Sequence, residues 1–494
     1  MDYISTRDIN TVVNAAQAIS KGISAEGGLF VPTQIPTLSA DDFEFLKGKD
    51  YVSRAKFVLS KFLQDFSDEE ISHCVEGAYI GSFDNDCPAP LHKLSDNVNI
   101  LELWHGPTCA FKDLALQLLP YLMTTSVKKL GNDKETVILV ATSGDTGKAA
   151  LEGFCDVDNT KIIVFYPTDG VSPMQKLQMD TQKGKNVYVC SINGNFDDAQ
   201  TGVKKIFTDK DINDIMNKNG MAFSSANSIN WGRLVPQIVY YVSAYVDLLE
   251  SEKDFTDFNV TVPTGNFGNI LAAYYAKCMG VPINKLICAS NSNNVLTDFI
   301  NSGVYNRNRK FYTTISPSMD ILISSNLERM LFELSGHNDK QVSLLQKELN
   351  ENGNYTVPSD IKEKLNKLFF AGCCDDDKTK STIKEIFDKY GYLIDTHTAV
   401  AVNVYNQYAE KTKDTRPVVI ASTASPYKFA ASVLSALGLE IPNSEFDSVK
   451  KLSEITKTTV PNPIKNLENA TVRFSNVCDK EQMTDTVLKA VGIL

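Results

Sequence analysis

The sequence predicts an α/β protein built on parallel sheets. Short β-branched, nearly continuous apolar runs recur along the chain, and each gives way to a helical pattern rather than to a tight turn and a second strand. At two of these junctions, residues 142–147 and 264–269, a loop of small and polar residues opens directly into the helix, a geometry that turns free amides toward an anion.

The elements follow in chain order. Residues 1–95 read as a leading segment: a turn at 26–32 enters a short strand, helical periodicity runs through 51–63 and 69–80, and 87–90 (Cys-Pro-Ala-Pro) is an extended connector. Residues 101–115 begin as a buried strand, break at Gly106 and Pro107, and restart as a helix from Asp113. Residues 135–141 form a compact strand that feeds the loop 142–147 and a helix from Lys148. Strands at 161–167 and 186–192 continue the alternation, and Asn227, Ser228 and Arg233 precede a long apolar helix over 234–249.

A polar linker at 250–255 leads to a strand at 258–263, the glycine-containing loop 264–269 and a helix over 270–279. Residues 286–294 repeat the strand-to-polar-loop pattern. From about 300 to 390 the texture turns Lys- and Glu-rich, which reads as a helical insertion with solvated faces and no catalytic part. Residues 395–401 open another helix, with His397 read as a hydrogen-bonded structural histidine, and 417–422 is the last clear buried strand before Thr423 and a Lys-rich remainder of helix and loop.

Three stretches carry chemistry. Lys112 sits where a loop enters a helix; an amine in an apolar pocket loses the hydration of its charged form, so its pKa falls and it becomes a nucleophile able to form a Schiff base with a carbonyl cofactor. The loop 264–269 places two glycines within four residues, so successive amides can curl inward to cup a dianion. The loop 142–147 offers the hydroxyls of Thr142, Ser143 and Thr146. It is not a phosphate loop of the Walker type, because Thr142 stands where a glycine is required and Ala149 where Ser or Thr must follow the lysine. Arg233, beside Asn and Ser at a helix start, could clamp a phosphate; on its own it reads as a surface arginine in a capping turn.

Length gives room for about three domains of roughly 150 residues. The net charge of −11 argues against a general nucleic-acid surface. The 10 cysteines show no metal-like pairing, and several lie in apolar contexts, which reads as free thiols in a reducing compartment. With no run of 18 uninterrupted apolar residues and no leader-like pattern at the N-terminus, the expectation is a soluble cytoplasmic protein without a membrane span.

Taken together, the motifs at 3–7, 27–32, 105–108, 111–113, 141–147, 228–231, 263–268 and 422–426 closely resemble threonine synthase, in its long fungal and bacterial form, nearly end to end. Cys109, Lys148 and Gly232 depart from that pattern. The resemblance implies the type II fold of pyridoxal-phosphate (PLP) enzymes, like tryptophan synthase β. Its two parallel-sheet α/β domains would hold the cofactor between them, as a segment 1–95, a small domain 96–249 with the lysine, and a large domain 250–494 with the phosphate loop.

It implies a carbon–oxygen lyase that converts O-phospho-L-homoserine and water to L-threonine and phosphate, acting as a monomer or homodimer. The alternatives are an O-phosphothreonine phospho-lyase, a hydroxy-amino-acid dehydratase or a non-catalytic homologue. By the same resemblance Lys112 would carry pyridoxal 5'-phosphate, with Phe111 beside it. Gly265, Asn266, Phe267, Gly268 and Asn269 would cup its phosphate, Asp145 would meet the ring hydroxyl by sharing a proton, and Thr423 would hydrogen-bond the ring nitrogen. Thr142 and Ser143 would meet the substrate α-carboxylate, and Thr146, Asn227, Ser228 and Arg233 its phosphate.

Overall fold

The computed structural model describes residues 1–142, 144–169, 171–251 and 256–494. Two sheets organise it. The larger has six strands in the order Phe369–Cys373, Ile283–Ser290, Phe258–Pro263, Val418–Ser422, Val98–Glu102 and Leu91–Ser95; only the last pairing is antiparallel. The smaller has five parallel strands in the order Asn476–Asp479, Val187–Asn193, Thr160–Pro167, Glu135–Ala141 and Met221–Ser224.

The apolar runs that predicted these strands are buried on both faces, and a period of two sorts them. Ile138, Val140, Ile162 and Val164 of the small sheet and Val260, Val262, Val419 and Leu101 of the large one enter a single shared core. Their alternates face outer cores: Val137, Leu139, Ile163 and Phe165 meet the C-terminal helix Met483–Val491, and Ile100, Ile287, Val418 and Ile420 meet the helix Thr396–Thr412. The helix Trp231–Ser251, buried along most of its length, lies in the shared core and joins the two sheets into one body.

Several expectations are corrected. The sheets cross the boundary set at 249/250: the strand Val98–Glu102, which leads to Lys112, belongs to the large sheet, and Asn476–Asp479 belongs to the small one. The segment 300–390 is not purely helical, because Phe369–Cys373 is the edge strand of the large sheet and Val304–Asn306 pairs with Asn354–Thr356. The linker expected at 250–255 begins inside the long helix, which runs to Ser251; the rest of it, 252–255, lies outside the described residues. Among the described residues no helix is long and apolar enough to cross a membrane.

The leading segment is docked rather than loose. Arg7 donates twice to Glu328, at 2.8 and 2.7 Å, and Thr6 adds a third bond at 2.6 Å. Trp231 packs among the rings of Tyr3, Phe62 and Tyr275.

The helices Lys112–Leu116 and Asp145–Gly153 touch through a glycine. A Cβ on Gly153 would fall 2.0 Å from the Leu116 carbonyl oxygen. Helix propensity alone would favour Gly153→Ala by about 1 kcal/mol, but the overlap must move backbone and should cost about 1–3 kcal/mol net. Urea unfolding of Gly153→Ala is expected to show that loss; equal or greater stability would mean that the two helices do not meet as described.

Candidate active site

Lys112 is placed by a loop folded around a buried acid. Asp113 accepts hydrogen bonds from the Thr108 amide (2.9 Å), the Thr108 hydroxyl (2.6 Å) and the Ala110 amide (3.5 Å). Gly106 passes so close that a Cβ would sit 2.5 Å from the Asp113 Cβ, and Cys109 takes a left-handed backbone (φ 56°). Burial raises Asp113 to about 6, because its partners there are mostly neutral donors. The loop is laced to the end of the strand Val418–Ser422: Phe111 N–H donates to Thr423 O at 2.9 Å and Ser425 N–H to Cys109 O at 3.1 Å.

The Lys112 ammonium is 11% exposed and lies 4.9 Å from the centre of the Phe111 ring. Burial lowers its pKa; Asp145 opposes that, and the charges of Lys428 and Arg233 add to it. Asp145, the first residue of its helix, is the meeting point of the site. Its Oδ1 accepts from Lys428 Nζ at 2.6 Å and Gln175 Nε2 at 3.0 Å, and its Oδ2 from Ser318 Oγ at 2.9 Å and Lys112 Nζ at 3.5 Å. Burial works against its charge, yet Lys428 and then Lys112 hold it well below the usual carboxylate range. The acid is ion-paired.

The loop after Phe258–Pro263 turns through Phe267 (φ 62°) into the helix Gly268–Cys278, whose N-terminus no side chain caps. Gly265 is held against the turn Pro317–Met319, where a Cβ would come 2.8 Å from Ser318 O. Ser324 Oγ donates to Gly265 O at 2.7 Å, and the backbone and side-chain N–H groups of Asn326 donate to Asn266 O at 3.0 and 3.1 Å. Asn269 accepts from the Tyr241 hydroxyl, while its own Nδ2 is buried with no partner.

Arg233 is not a surface arginine. It is 2% exposed, donates to Ala226 O, and leaves Nε buried without a partner; burial lowers its pKa to about 10. Asn227 and Ser228 are half-buried in the turn before it, and no hydrogen bond ties their side chains to other described residues. Asn230, fully buried, braces that turn by donating to Ile19 O and Ser225 O and accepting from Gly232 N–H.

Thr423 is buried at the strand end beside Phe111, and Thr146 is half-buried. The Thr142 hydroxyl is already engaged: it accepts from Gly144 N–H (3.0 Å) and Gly147 N–H (2.9 Å) and donates to Gly144 O (3.1 Å). With these bonds it shapes its own loop. Ser143 lies outside the described residues.

The departures noted above have local reasons. Lys148 pairs with Glu152 and Gln182, away from the lysine loop, and Gly232 makes room for Leu119, whose Cδ1 would be 2.7 Å from a Cβ.

Four residues that sequence reasoning did not single out for the site complete it: Lys428, Ser318, Ser324 and Asn326. Three of them come from the segment read as a solvated insertion. His397 is structural, as expected: its Nε2 accepts from Ser318 N–H (3.1 Å), so Nδ1 carries the proton donated to Asp395 (2.7 Å).

A cavity of about 470 Å³ borders the lysine loop through Trp104 and His105, but Lys112, Asp145 and residues 265–269 do not line it. It therefore takes no part in the roles assigned here.

A braced glycine loop at an uncapped helix N-terminus, a desolvated amine, a hydroxyl at a strand end and unpartnered buried donors on Asn269 and Arg233 fit a phosphorylated aldehyde cofactor. The comparisons with known proteins give the class. The model described as "Pyridoxal-phosphate dependent enzyme" matches residues 86–348, so the fold is that of the type II PLP enzymes and the cofactor is pyridoxal 5'-phosphate. The flanking regions are more specific: "Threonine synthase N terminus" matches 2–79 and "Threonine synthase, C-terminal" matches 398–487.

The chain is 38% identical to threonine synthase of Pseudomonas aeruginosa over 88% of this chain and 90% of that one, and 35% identical to that of Saccharomyces cerevisiae over 97% and 98%. It superposes on the PLP-bound threonine synthase of Brucella melitensis with a TM-score of 0.88 at 38% identity, covering 99% of each chain. It is also 41% identical to threonine synthase-like 1 of Homo sapiens over 90% of its length, and spans 62% of that longer protein. The chain belongs to the threonine synthase family.

His105, bracketed by Asp84 and Glu102 at 2.8 Å each, carries a testable electrostatic signature. Burial opposes its charge, but the two carboxylates outweigh it and raise its pKa from 6.5 to about 9. The folded state therefore holds this proton more tightly than the unfolded chain. The stabilisation is complete below about pH 6.5 and is lost as the pH rises through about 9, on the order of 2 kcal/mol in all. Urea unfolding of the wild type should show that decline, and His105→Gln should show a smaller one; parallel pH profiles would remove the assignment.

Proposed function

We propose that the chain converts O-phospho-L-homoserine and water to L-threonine and phosphate. Overall the Cγ–O bond breaks and phosphate leaves, Cγ gains a proton, and Cβ exchanges a proton for the hydroxyl of water. The observation that carries this reading is Arg233, a buried cation with an unpartnered Nε whose charge is felt at Lys112. A dehydratase acting on a free hydroxy-amino acid has no use for such a clamp.

In this reading Lys112 holds the cofactor covalently and, once released by the incoming amino group, moves protons between the substrate carbons. Pyridoxal phosphate, when bound, supplies an electron sink for the charge that builds at those carbons. Burial lowers the pKa of Lys112 and so favours the free amine that can accept a proton. Residues 265–269 seat the cofactor phosphate on a helix N-terminus, and Asn269 Nδ2 supplies a further donor. The Thr423 hydroxyl meets the ring nitrogen without holding it protonated. Asp145 faces the ring hydroxyl as a carboxylate, and Asn227, Ser228, Thr146 and Arg233 bind the substrate phosphate. The loop folded by Thr142 meets the α-carboxylate.

Borohydride treatment of the holoenzyme followed by peptide mass mapping should place the cofactor on Lys112, and Lys112→Ala should abolish the adduct; an adduct on another lysine would move the site. Arg233→Ala should keep the bound cofactor and lower kcat/KM for phosphohomoserine by about 10- to 150-fold, the worth of a charge-assisted hydrogen bond of ~1.5–3 kcal/mol. Product analysis on phosphohomoserine and O-phosphothreonine separates the rivals. Threonine formed from the first supports the proposal, and phosphate release without threonine, or turnover of the second alone, overturns it.

A further inference from the structure

Lys428 has no expected role, yet it is a fully buried cation at the site. Its side chain is 0% exposed, and its ammonium is fixed between Asp145 Oδ1 at 2.6 Å and the Thr108 carbonyl at 3.0 Å. The turn that carries it, Pro426–Phe429, follows directly from the strand holding Thr423 and is tied to the lysine loop through Ser425 and Cys109. Asp145 thus has two lysines within reach: one in a short, direct ion pair, the other at 3.5 Å on the opposite carboxylate oxygen.

We propose that Lys428 is a positioning residue: by serving as the counter-ion of Asp145 it prevents that carboxylate from claiming Lys112, and so leaves Lys112 Nζ as a free amine. The inference rests on Lys112 being the reactive lysine, as proposed above. In a site closed to water a carboxylate must be compensated by a cation or take up a proton. Were Lys428 neutral, the nearest remaining cation would be Lys112, which would be held as an ammonium ion.

The charges acting on Lys112 come from three elements and all bear on this argument. Asp145 on its helix raises the amine's pKa, while Lys428 on its turn and Arg233 on the long helix lower it. Removing the Lys428 charge both frees Asp145 and takes away a repulsion. The two effects have the same sign. Gln175 and Ser318 still hold the carboxylate in place, so its position beside Lys112 does not depend on Lys428 alone.

The test is the pH midpoint for acetylation of Lys112 by an uncharged reagent, read by mass spectrometry on the full chain freed of cofactor with hydroxylamine. In Lys428→Met the midpoint should rise by at least about one pH unit, a tenfold fall in free amine at a given pH. Lys428→Arg, which keeps the charge, should stay near the wild type, and the double variant Asp145→Asn/Lys428→Met should return toward it. Should Lys428→Met not fold, the same upward step is sought in Lys428→Gln, which also removes the charge but keeps a hydrogen-bonding side chain beside Asp145. A Lys112 midpoint unmoved by loss of the Lys428 charge overturns the inference while leaving the assignment of Lys112 intact. Failure of Lys112 to carry the borohydride adduct in the wild type overturns the underlying assignment instead.

Discussion

A single buried carboxylate, Asp145, ties together parts of the chain that are far apart in sequence. Its four contacts come from the lysine helix, the helix Pro173–Asp180, the turn at 317–319 and the turn after the last strand of the large sheet. No single donor could make an ionised acid tolerable at 3% exposure; the Lys428 ammonium together with an amide, a hydroxyl and the Lys112 amine does. The cost of burying the charge is therefore a constraint on geometry: four segments must converge within hydrogen-bond distance of two oxygen atoms.

The same convergence governs the cup-shaped loop at 265–269. Asn326 holds the Asn266 carbonyl, and Arg329, fully buried, donates to Asn326, to Phe30 O in the leading segment and to Ile229 O in the turn before the long helix. One guanidinium thereby connects the cup, the N-terminal strand and the turn carrying Asn227 and Ser228. Glu328 next to it anchors Arg7. Residues 324–329 are structural keystones of the site, and the leading segment contributes order to it without supplying a reactive group.

The parts of this arrangement that the sequence made legible are those with local causes. The strands at 135–141, 258–263 and 418–422 were readable because they are buried on both faces and continuously apolar, and the loops at 142–147 and 264–269 because glycine punctuates them. The strands at 91–95 and 476–479 sit at sheet edges with mixed or charged residues, the short run at 369–373 is an edge strand that follows a Lys-rich helix without a break, and the four residues at 221–224 form another edge; in each case pairing with a distant strand, not local pattern, makes the element. Lys428 and Ser318 were illegible for the same reason: their partner, Asp145, is hundreds of positions away from the one and more than a hundred from the other. Thr142 was legible as a loop hydroxyl, but its saturation by Gly144 and Gly147 is a property of the folded turn.

The two acids on either side of Lys112 differ in their partners. Asp113 is compensated mainly by neutral N–H and O–H donors and rises to about 6, with Lys428 and the Arg233 charge nearby; Asp145 is compensated chiefly by the Lys428 charge and stays ionised. Lys428 and Arg233 are the buried cations whose charges act on these two acids, and Lys112 stands among them with its own pKa lowered by burial. With the acids satisfied, buried donors on Arg233 and Asn269 still lack partners. A buried N–H group left unmade costs free energy, so the fold retains these two donors at a cost that an anionic oxygen seated against them would offset.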